Sequence, residues 1–232
     1  NEGRKVFISR PINHFELVED ATKTFLMGGG IGVTPMIAFA HRLHALGRDF
    51  ALHYSCSRKG DAGYLDDLEQ VPWADKVRLH FSDQGTRADL DLVLAGYQAG
   101  WHVYTCGPDR YMDGVMQAAE RQGFPEEARH LEYFSVPEQP DYENHDFTIR
   151  LAKSGREIHV PADRNPTDVL AENGVHVDVK CSDGICGVCK CGLISGEVEH
   201  RDFVLSKKQR EHSIILCQSR AAEPDGVIEV DL

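Results

Sequence analysis

The sequence predicts two domains of different texture, an α/β unit built on a parallel sheet followed by a smaller α+β unit with a mixed sheet. Three observations predict this. Strand and helix patterns alternate as far as Phe134, and a proline- and acid-rich break follows at Ser135–His145. Beyond the break, short runs of alternating apolar and polar residues replace the βα rhythm. With 232 residues and 41% hydrophobic content, the chain can bury two cores.

The elements follow in order. Residues 1–20 precede the first domain, which spans 21–134. Its pattern predicts strands at Lys23–Met27, Phe50–Ser55, Val77–Ser82, Trp101–Thr105 and His130–Phe134. Helices are predicted between them at Pro35–Leu46, Tyr64–Val71, Asp89–Tyr97 and Arg110–Gln122. Thr34 is a candidate N-cap with Pro35 at the first helical position. The linker, 135–145, carries two prolines and acids at Glu138, Asp141 and Glu143, with Asp146 just beyond. In the second domain, 146–232, Asp146–Ala152 and Arg156–Val160 read as a hairpin around Lys153-Ser154-Gly155. Thr167–Asn173 is a helix closed by Gly174. Strands at Lys190–Ile194, Ile214–Leu216 and Val227–Val230 and a short helix near Ser206–Arg210 complete a β-grasp pattern.

Composition excludes several classes of function. No apolar run approaches the ~20 residues of a membrane span. A formal net charge of −12 argues against nucleic-acid and anionic-membrane partners and suits a partner with a basic face. The chain opens at Asn1 rather than Met, so further sequence is expected upstream. Of 7 cysteines, Cys181, Cys186, Cys189 and Cys191 lie together, Cys217 follows, and Cys56 and Cys106 stand alone. An odd, clustered count reads as a metal site in a reducing, cytoplasmic compartment rather than a disulfide framework.

Cys181, Cys186, Cys189 and Cys217 have the spacing C-x₄-C-x₂-C…C, that of a plant-type [2Fe–2S] site. Two irons need four thiolates, and Gly184 and Gly187 let backbone amides approach the sulfides. A structural zinc site is the alternative, because C-x₂-C is also a zinc spacing. Cys191 reads as a small buried hydrophobe on the following strand, with ligation in place of Cys189 the other option.

A second motif, Gly28-Gly29-Gly30-Ile31-Gly32-Val33-Thr34-Pro35, joins the first strand to the first helix. Glycines there allow a tight turn and let a pyrophosphate lie against amides at a helix N-terminus. It is not the G-x-G-x-x-G fingerprint, and a merely structural turn is the alternative. Cys106-Gly107-Pro108 ends the fourth strand of the same sheet, so both turns face one crevice.

Taken together these motifs resemble known proteins. Glu172–Cys191 resembles the cluster loop of plant-type ferredoxins, and Ile215–Ser219 resembles the strand that supplies their fourth ligand. GGGIGVTPM with TCGP resembles the NAD(P)H domain of the ferredoxin–NADP⁺ reductase superfamily. That resemblance implies that Gly29, Gly30, Gly32 and Thr34 hold pyrophosphate and nicotinamide, with Gly107 and Pro108 in the facing turn. It places Cys106 beside the nicotinamide as the catalytic candidate, a buried strand-end thiol being the alternative. Ser57 and Arg58 would approach the adenosine end, with Asp83 a further candidate; a solvated loop charge is the alternative for Arg58.

The order of parts resembles the phthalate dioxygenase reductase family, which includes vanillate O-demethylase reductase-like proteins. Its full pattern is a flavin barrel, a nucleotide domain, then a [2Fe–2S] domain. Val6–Leu17 resembles the closing strand of that barrel, and Phe134 in His130-Leu131-Glu132-Tyr133-Phe134 is the candidate to meet the flavin, core packing being its alternative. The family's R-x-Y-[ST] motif is absent, so residues 1–20 are expected to be a barrel remnant and FMN is expected in a longer protein, not here.

The resemblance implies a reductase component that passes electrons from NADH through flavin and cluster to a Rieske-type oxygenase or demethylase. NADH is favoured over NADPH because only Arg58 suits a 2′-phosphate. A monomer is expected. Two other readings stay open: a stand-alone ferredoxin-like carrier, and a reductase serving a cytochrome P450. Among the 12 histidines no convincing ligand pair appears.

Overall fold

The structure, a computed structural model, describes residues 3, 5, 13, 15–137 and 141–232. Most of Val6–Leu17, including the residues proposed to close a barrel, lies outside the described residues, as does Glu138. Among the described residues no helix is long and apolar enough to cross a membrane.

The first sheet has five parallel strands in the order β3-β2-β1-β4-β5. They are β1 (Lys23–Gly29), β2 (Phe50–Cys56), β3 (Val77–Phe81), β4 (Trp101–Cys106) and β5 (Arg129–Glu132). Each alternates its side chains between two covered faces, as a doubly covered parallel sheet requires. Leu26, Leu52, Tyr54 and Tyr104 pack with Phe15, Trp73 and the Met36–Ala40–Leu43 face of α1 (Val33–Ala45). Phe25, Met27 and Val103 pack on the other side against Val115, Ala118 and Ala119 of α4 (Asp109–Arg121). The short α2 (Leu65–Gln70) and α3 (Leu90–Val93) complete the layers.

Three local expectations are corrected. A single 3₁₀ turn at Gly30–Gly32 precedes α1, so the helix starts at Val33 with Gly32 at its N-cap. Thr34 therefore lies inside the first turn and does not cap; its hydroxyl donates to the Ile31 carbonyl at 2.9 Å. Pro35 is tolerated there because first-turn amides have no intrahelical acceptor. The helix expected over Asp89–Tyr97 shrinks to one turn, capped by Asp89 and stopped where Gly96 turns left-handed at φ 77°. The last strand ends at Glu132, leaving Tyr133 and Phe134 in irregular backbone.

The second sheet runs β10-β8-β12-β6-β7, with β12 parallel to β6 and its other pairs antiparallel. β6 (Phe147–Leu151) and β7 (Glu157–Val160) form the expected hairpin. β8 (Lys190–Ser195), β10 (Ser213–Ile215) and β12 (Val227–Val230) complete it. α5 (Pro166–Glu172) lays Val169 and Leu170 on a core of Ile149, Ile158, Ile214 and Ile228, the β-grasp arrangement. A two-stranded pair unforeseen in the sequence, β9 (Val198–Glu199) with β11 (Arg220–Ala221), sits beside it, and α6 (Lys207–Arg210) lies between them in the chain.

Arginines fasten the end of the linker to this second domain. Arg201 donates to Asn144 Oδ1 and the Glu143 carbonyl, and stacks on Tyr142 with its guanidinium carbon 4.4 Å from the ring centroid. Arg220 donates to the carbonyls of His145 and Pro161 at 3.2 and 2.7 Å. Contacts between the domains include the Lys207 amide, which donates to Glu126 Oε1 at 2.8 Å, and Phe203, which meets Tyr133 edge-on at 5.4 Å.

Two histidine pairs bridge strands of the first sheet: His53 with His80 at 3.0 Å, and His102 with His130 at 2.9 Å between ring nitrogens. Burial, reinforced by the partner imidazole, pushes both His53 and His130 down to about 4. The unfolded chain binds these protons near pH 6.5, so between 6.5 and 4 the unfolded state holds more protons than the folded one. Stability is therefore full above pH 6.5 and falls as the pH drops toward 4. We expect the urea midpoint to fall between pH 7.5 and pH 5, by on the order of 1–2 kcal/mol per imidazole, with His53→Gln narrowing the difference. Equal midpoints at the two pH values would contradict this.

Candidate cluster and nucleotide sites

The cysteine loop joins α5 to β8 and presents Cys181, Cys186 and Cys189; Cys217 lies just past β10. The loop can close because Ser182, Gly184 and Gly187 adopt left-handed φ values of 61°, 73° and 72°. Gly184 also needs its missing side chain, since a Cβ there would stand 3.2 Å from Asp202 Cα. Cross-links hold the two cysteine segments together: Gln218 Nε2 donates to the Ser182 carbonyl at 2.6 Å, and Asn165 Nδ2 donates to the Cys217 carbonyl at 3.0 Å.

The thiols fall into two pairs, Cys181 with Cys186 and Cys189 with Cys217. Backbone amides point at the sulfurs, including Asp183 N–H to Cys181 at 3.3 Å and Cys217 N–H to Cys189 at 3.4 Å. The Cys217 thiol, donating to Cys189, holds Cys189 down at about 7, and the same bond with burial pushes Cys217 up. Two thiolate pairs rimmed by amide donors fit a two-iron centre, one pair per iron. Among the described residues, no three His, Cys, Asp or Glu side chains converge as a single zinc ion would need. Cys189 and Cys217 are 2% exposed, whereas Cys181 and Cys186 are half-buried at the edge. Cys191 packs against the second core from β8, its Sγ on the Gly192 carbonyl.

At the carboxyl end of the first sheet the two glycine turns interlock. A Cβ on Gly32 would lie 2.2 Å from the Cys106 carbonyl oxygen, and one on Gly107 2.8 Å from Gly29. Beside this joint opens a cleft of about 560 Å³ whose walls include Gly29, Gly30, Ser57 and Pro108 from among the expected residues. Gly32, Thr34, Cys106 and Gly107 are not part of its walls. Cys106 is fully buried, and burial pushes its thiol up to about 12, so at neutral pH it is an uncharged packing group. Asp83 donates its amide to the Ser57 carbonyl at 3.0 Å, while Ser82 rather than Asp83 reaches the cleft. Arg58 turns to Asp61 at 2.7 Å and stays outside the lining, which Asp61 joins.

Residues that the sequence did not single out also line the cleft, among them Arg87, Arg110, Tyr111 and His80. Arg110 had a signal, since it stands two residues after the Cys-Gly-Pro turn in the first turn of α4. Arg87 had none, because the irregular loop after the 3₁₀ turn Ser82–Gln84 places it. Two guanidinium groups, a helix N-terminus and the left-handed Gly30 amide suit a ligand carrying phosphates.

A second cleft, about 230 Å³, lies between the domains. Glu132 and Tyr133 of the first domain line it together with Cys181, Ile185, Cys186 and Phe203 of the second. Burial pushes the Glu132 carboxyl up, and Glu132 pairs in register with Cys106 on the neighbouring strand. Phe134, two residues on, is 53% exposed and so is not core packing.

Comparison with known proteins accords with this geometry. Residues 149–222 match the 2Fe-2S iron-sulfur cluster binding domain family and include all four paired cysteines. A vanillate O-demethylase oxidoreductase of Pseudomonas sp. (strain HR199 / DSM 7063) is 37% identical over 233 residues, 98% of this chain and 73% of that protein. The solved structure of a phthalate dioxygenase reductase, described as a modular structure for electron transfer from pyridine nucleotides to [2Fe–2S], is 35% identical with a TM-score of 0.56. The match covers 96% of this chain and 69% of that one. An intact type IV self-sufficient cytochrome P450 monooxygenase gives a TM-score of 0.80 at 33% identity, over 96% of this chain and 29% of that one. The chain therefore belongs to the phthalate dioxygenase reductase-like family, as an oxidoreductase that serves as the reductase component of an oxygenase or demethylase system through a [2Fe–2S] domain.

Proposed function

We propose that this chain accepts electrons from NADH at the first domain and delivers them from a [2Fe–2S] cluster, held by Cys181, Cys186, Cys189 and Cys217, to a Rieske-type oxygenase. The observation that carries this is the 230 Å³ cleft, where Glu132 and Tyr133 of the nucleotide domain share a wall with two candidate cluster ligands. Nicotinamide gives up two electrons as a hydride and the cluster takes one at a time, so a flavin supplies the conversion between them. Phe134, exposed and next in the chain to Tyr133 of that cleft, is the side chain on which its ring would rest.

In this reading the 560 Å³ cleft takes the adenosine and pyrophosphate, with Arg110 and the α4 N-terminus on the phosphates and Ser57 toward the ribose. Gly29 and Gly30 admit the ligand against bare backbone. Gly32, Cys106 and Gly107 form the interlocked joint that backs the cleft at the nicotinamide end, Thr34 lies in the first turn of α1 next to it, and Cys106 contributes shape there without ionising. The chain acts as a monomer, passing one electron at a time across the cluster edge at Cys181 and Cys186.

The test follows the visible absorbance and the low-temperature EPR signal of the protein. Dithionite is expected to reduce the cluster directly, and NADH to do so in proportion to the flavin present. Rapid NADH reduction of flavin-stripped protein would overturn the proposed route. Structural likeness to a part of an intact self-sufficient cytochrome P450 monooxygenase favours a second reading, with a haem protein as acceptor. Transfer rates to purified acceptors of the two classes separate the readings.

A further inference from the structure

The distal wall of the larger cleft holds an arginine and a carboxylate that engage each other. Arg58, extended at φ −132° and ψ 142°, precedes the 3₁₀ turn Lys59–Asp61 that follows β2. Its Nε lies 2.7 Å from Asp61 Oδ2. Asp61 lines the cleft and Arg58 does not. The same end of the cleft carries Ser57 and Ser82, which are uncharged. A ribose seated there meets the two serines and one carboxylate, with Arg87 of the loop after β3 also on the lining, while Arg58, the guanidinium nearest in sequence, is drawn away.

We infer that Asp61 sets the choice between the two nicotinamide nucleotides. It accepts from Arg58 and so withholds that cation, and it presents a negative charge where a 2′-phosphate would sit. A ribose diol can donate to the carboxylate; a phosphate at the same place is repelled by it. Selectivity arises from the repulsive element as much as from the attractive one. The inference rests on the reading of this cleft as the nucleotide site. The pair is exposed, 71% for Arg58 and 50% for Asp61, so little folding stability depends on it and variants at both positions fold.

The test is calorimetric titration of the whole chain with NAD⁺ and NADP⁺. The unsubstituted protein is expected to bind NAD⁺ at least tenfold more tightly. Asp61→Asn is expected to tighten NADP⁺ binding at least tenfold, an effect that shrinks at high salt as a charge effect must. In the Arg58→Ala/Asp61→Asn double variant the gain is expected to vanish. An NADP⁺ affinity of Asp61→Asn within twofold of the original overturns the inference. So does a gain that survives loss of Arg58, which would hand the phosphate to Arg87. Failure of the unsubstituted protein to bind NAD⁺ at all overturns the nucleotide site itself, whereas retained NAD⁺ binding without the NADP⁺ gain overturns only the role of Asp61.

Discussion

Cys217→Ser is expected to abolish the visible chromophore and to remove iron and acid-labile sulfide together. Cys217 is 2% exposed and paired with Cys189, and its segment is fixed by Asn165 and Gln218, so no neighbouring thiol can move in to replace it. A serine oxygen is a hard donor that ionises far less readily than a thiol, and soft thiolates are what iron–sulfur centres select. Ligand loss also removes the binding energy that the folded domain draws from its cluster, since metal affinity and folding are coupled. The second domain should then melt earlier while the first is unaffected. Cys191→Ala is the control: its sulfur packs into the second core from β8, so the chromophore should survive. Full iron and sulfide in Cys217→Ser, or their loss in Cys191→Ala, would reassign the fourth ligand.

The second large effect is expected at Gly32→Ala. The new Cβ would stand 2.2 Å from the Cys106 carbonyl oxygen and 2.5 Å from the Gly107 amide nitrogen. Both are backbone atoms of the facing turn, so no side chain can swing aside to relieve the contact. The turns must separate, at a cost of about 3 kcal/mol for overpacking a fixed site. Nucleotide affinity should fall at least about tenfold, because the turn's amides are displaced from the cleft wall. Gly63→Ala is the comparison, as nothing lies within 4 Å of its added carbon. Differential scanning calorimetry with NAD⁺ titration reads both effects. A Gly32→Ala protein with unaltered melting and unaltered binding would show that the interlock is not needed.

What could be read from the sequence was what local chemistry fixes. The C-x₄-C-x₂-C spacing is set by the reach of one loop around two irons, and it covers three of the four paired thiols, with Cys217 in a separate later segment. Alternation of βα segments named the parallel sheet because covered strands and amphipathic helices differ in period. The helix start was misread for a similarly local reason: a 3₁₀ turn and an α-helical turn both tolerate glycine, so Thr34 looked like a cap when Gly32 is one. Nonlocal facts were out of reach. Arg58 looked like the only phosphate ligand because its partner, Asp61, could equally have pointed elsewhere. Arg87 reaches the cleft through the turn at Gly85, whose left-handed φ of 69° redirects the chain after β3. The wall shared by Glu132 and Cys186 depends on how two domains meet, which no spacing encodes.

Anchoring of Glu143, Asn144 and His145 by Arg201 and Arg220 shortens the leash between the two domains. A short leash holds its ends at millimolar effective molarity. Contacts such as Lys207 on Glu126 and Phe203 on Tyr133 then form between halves already held near one another. The arginine staples thus limit how far the two halves can part when such contacts break.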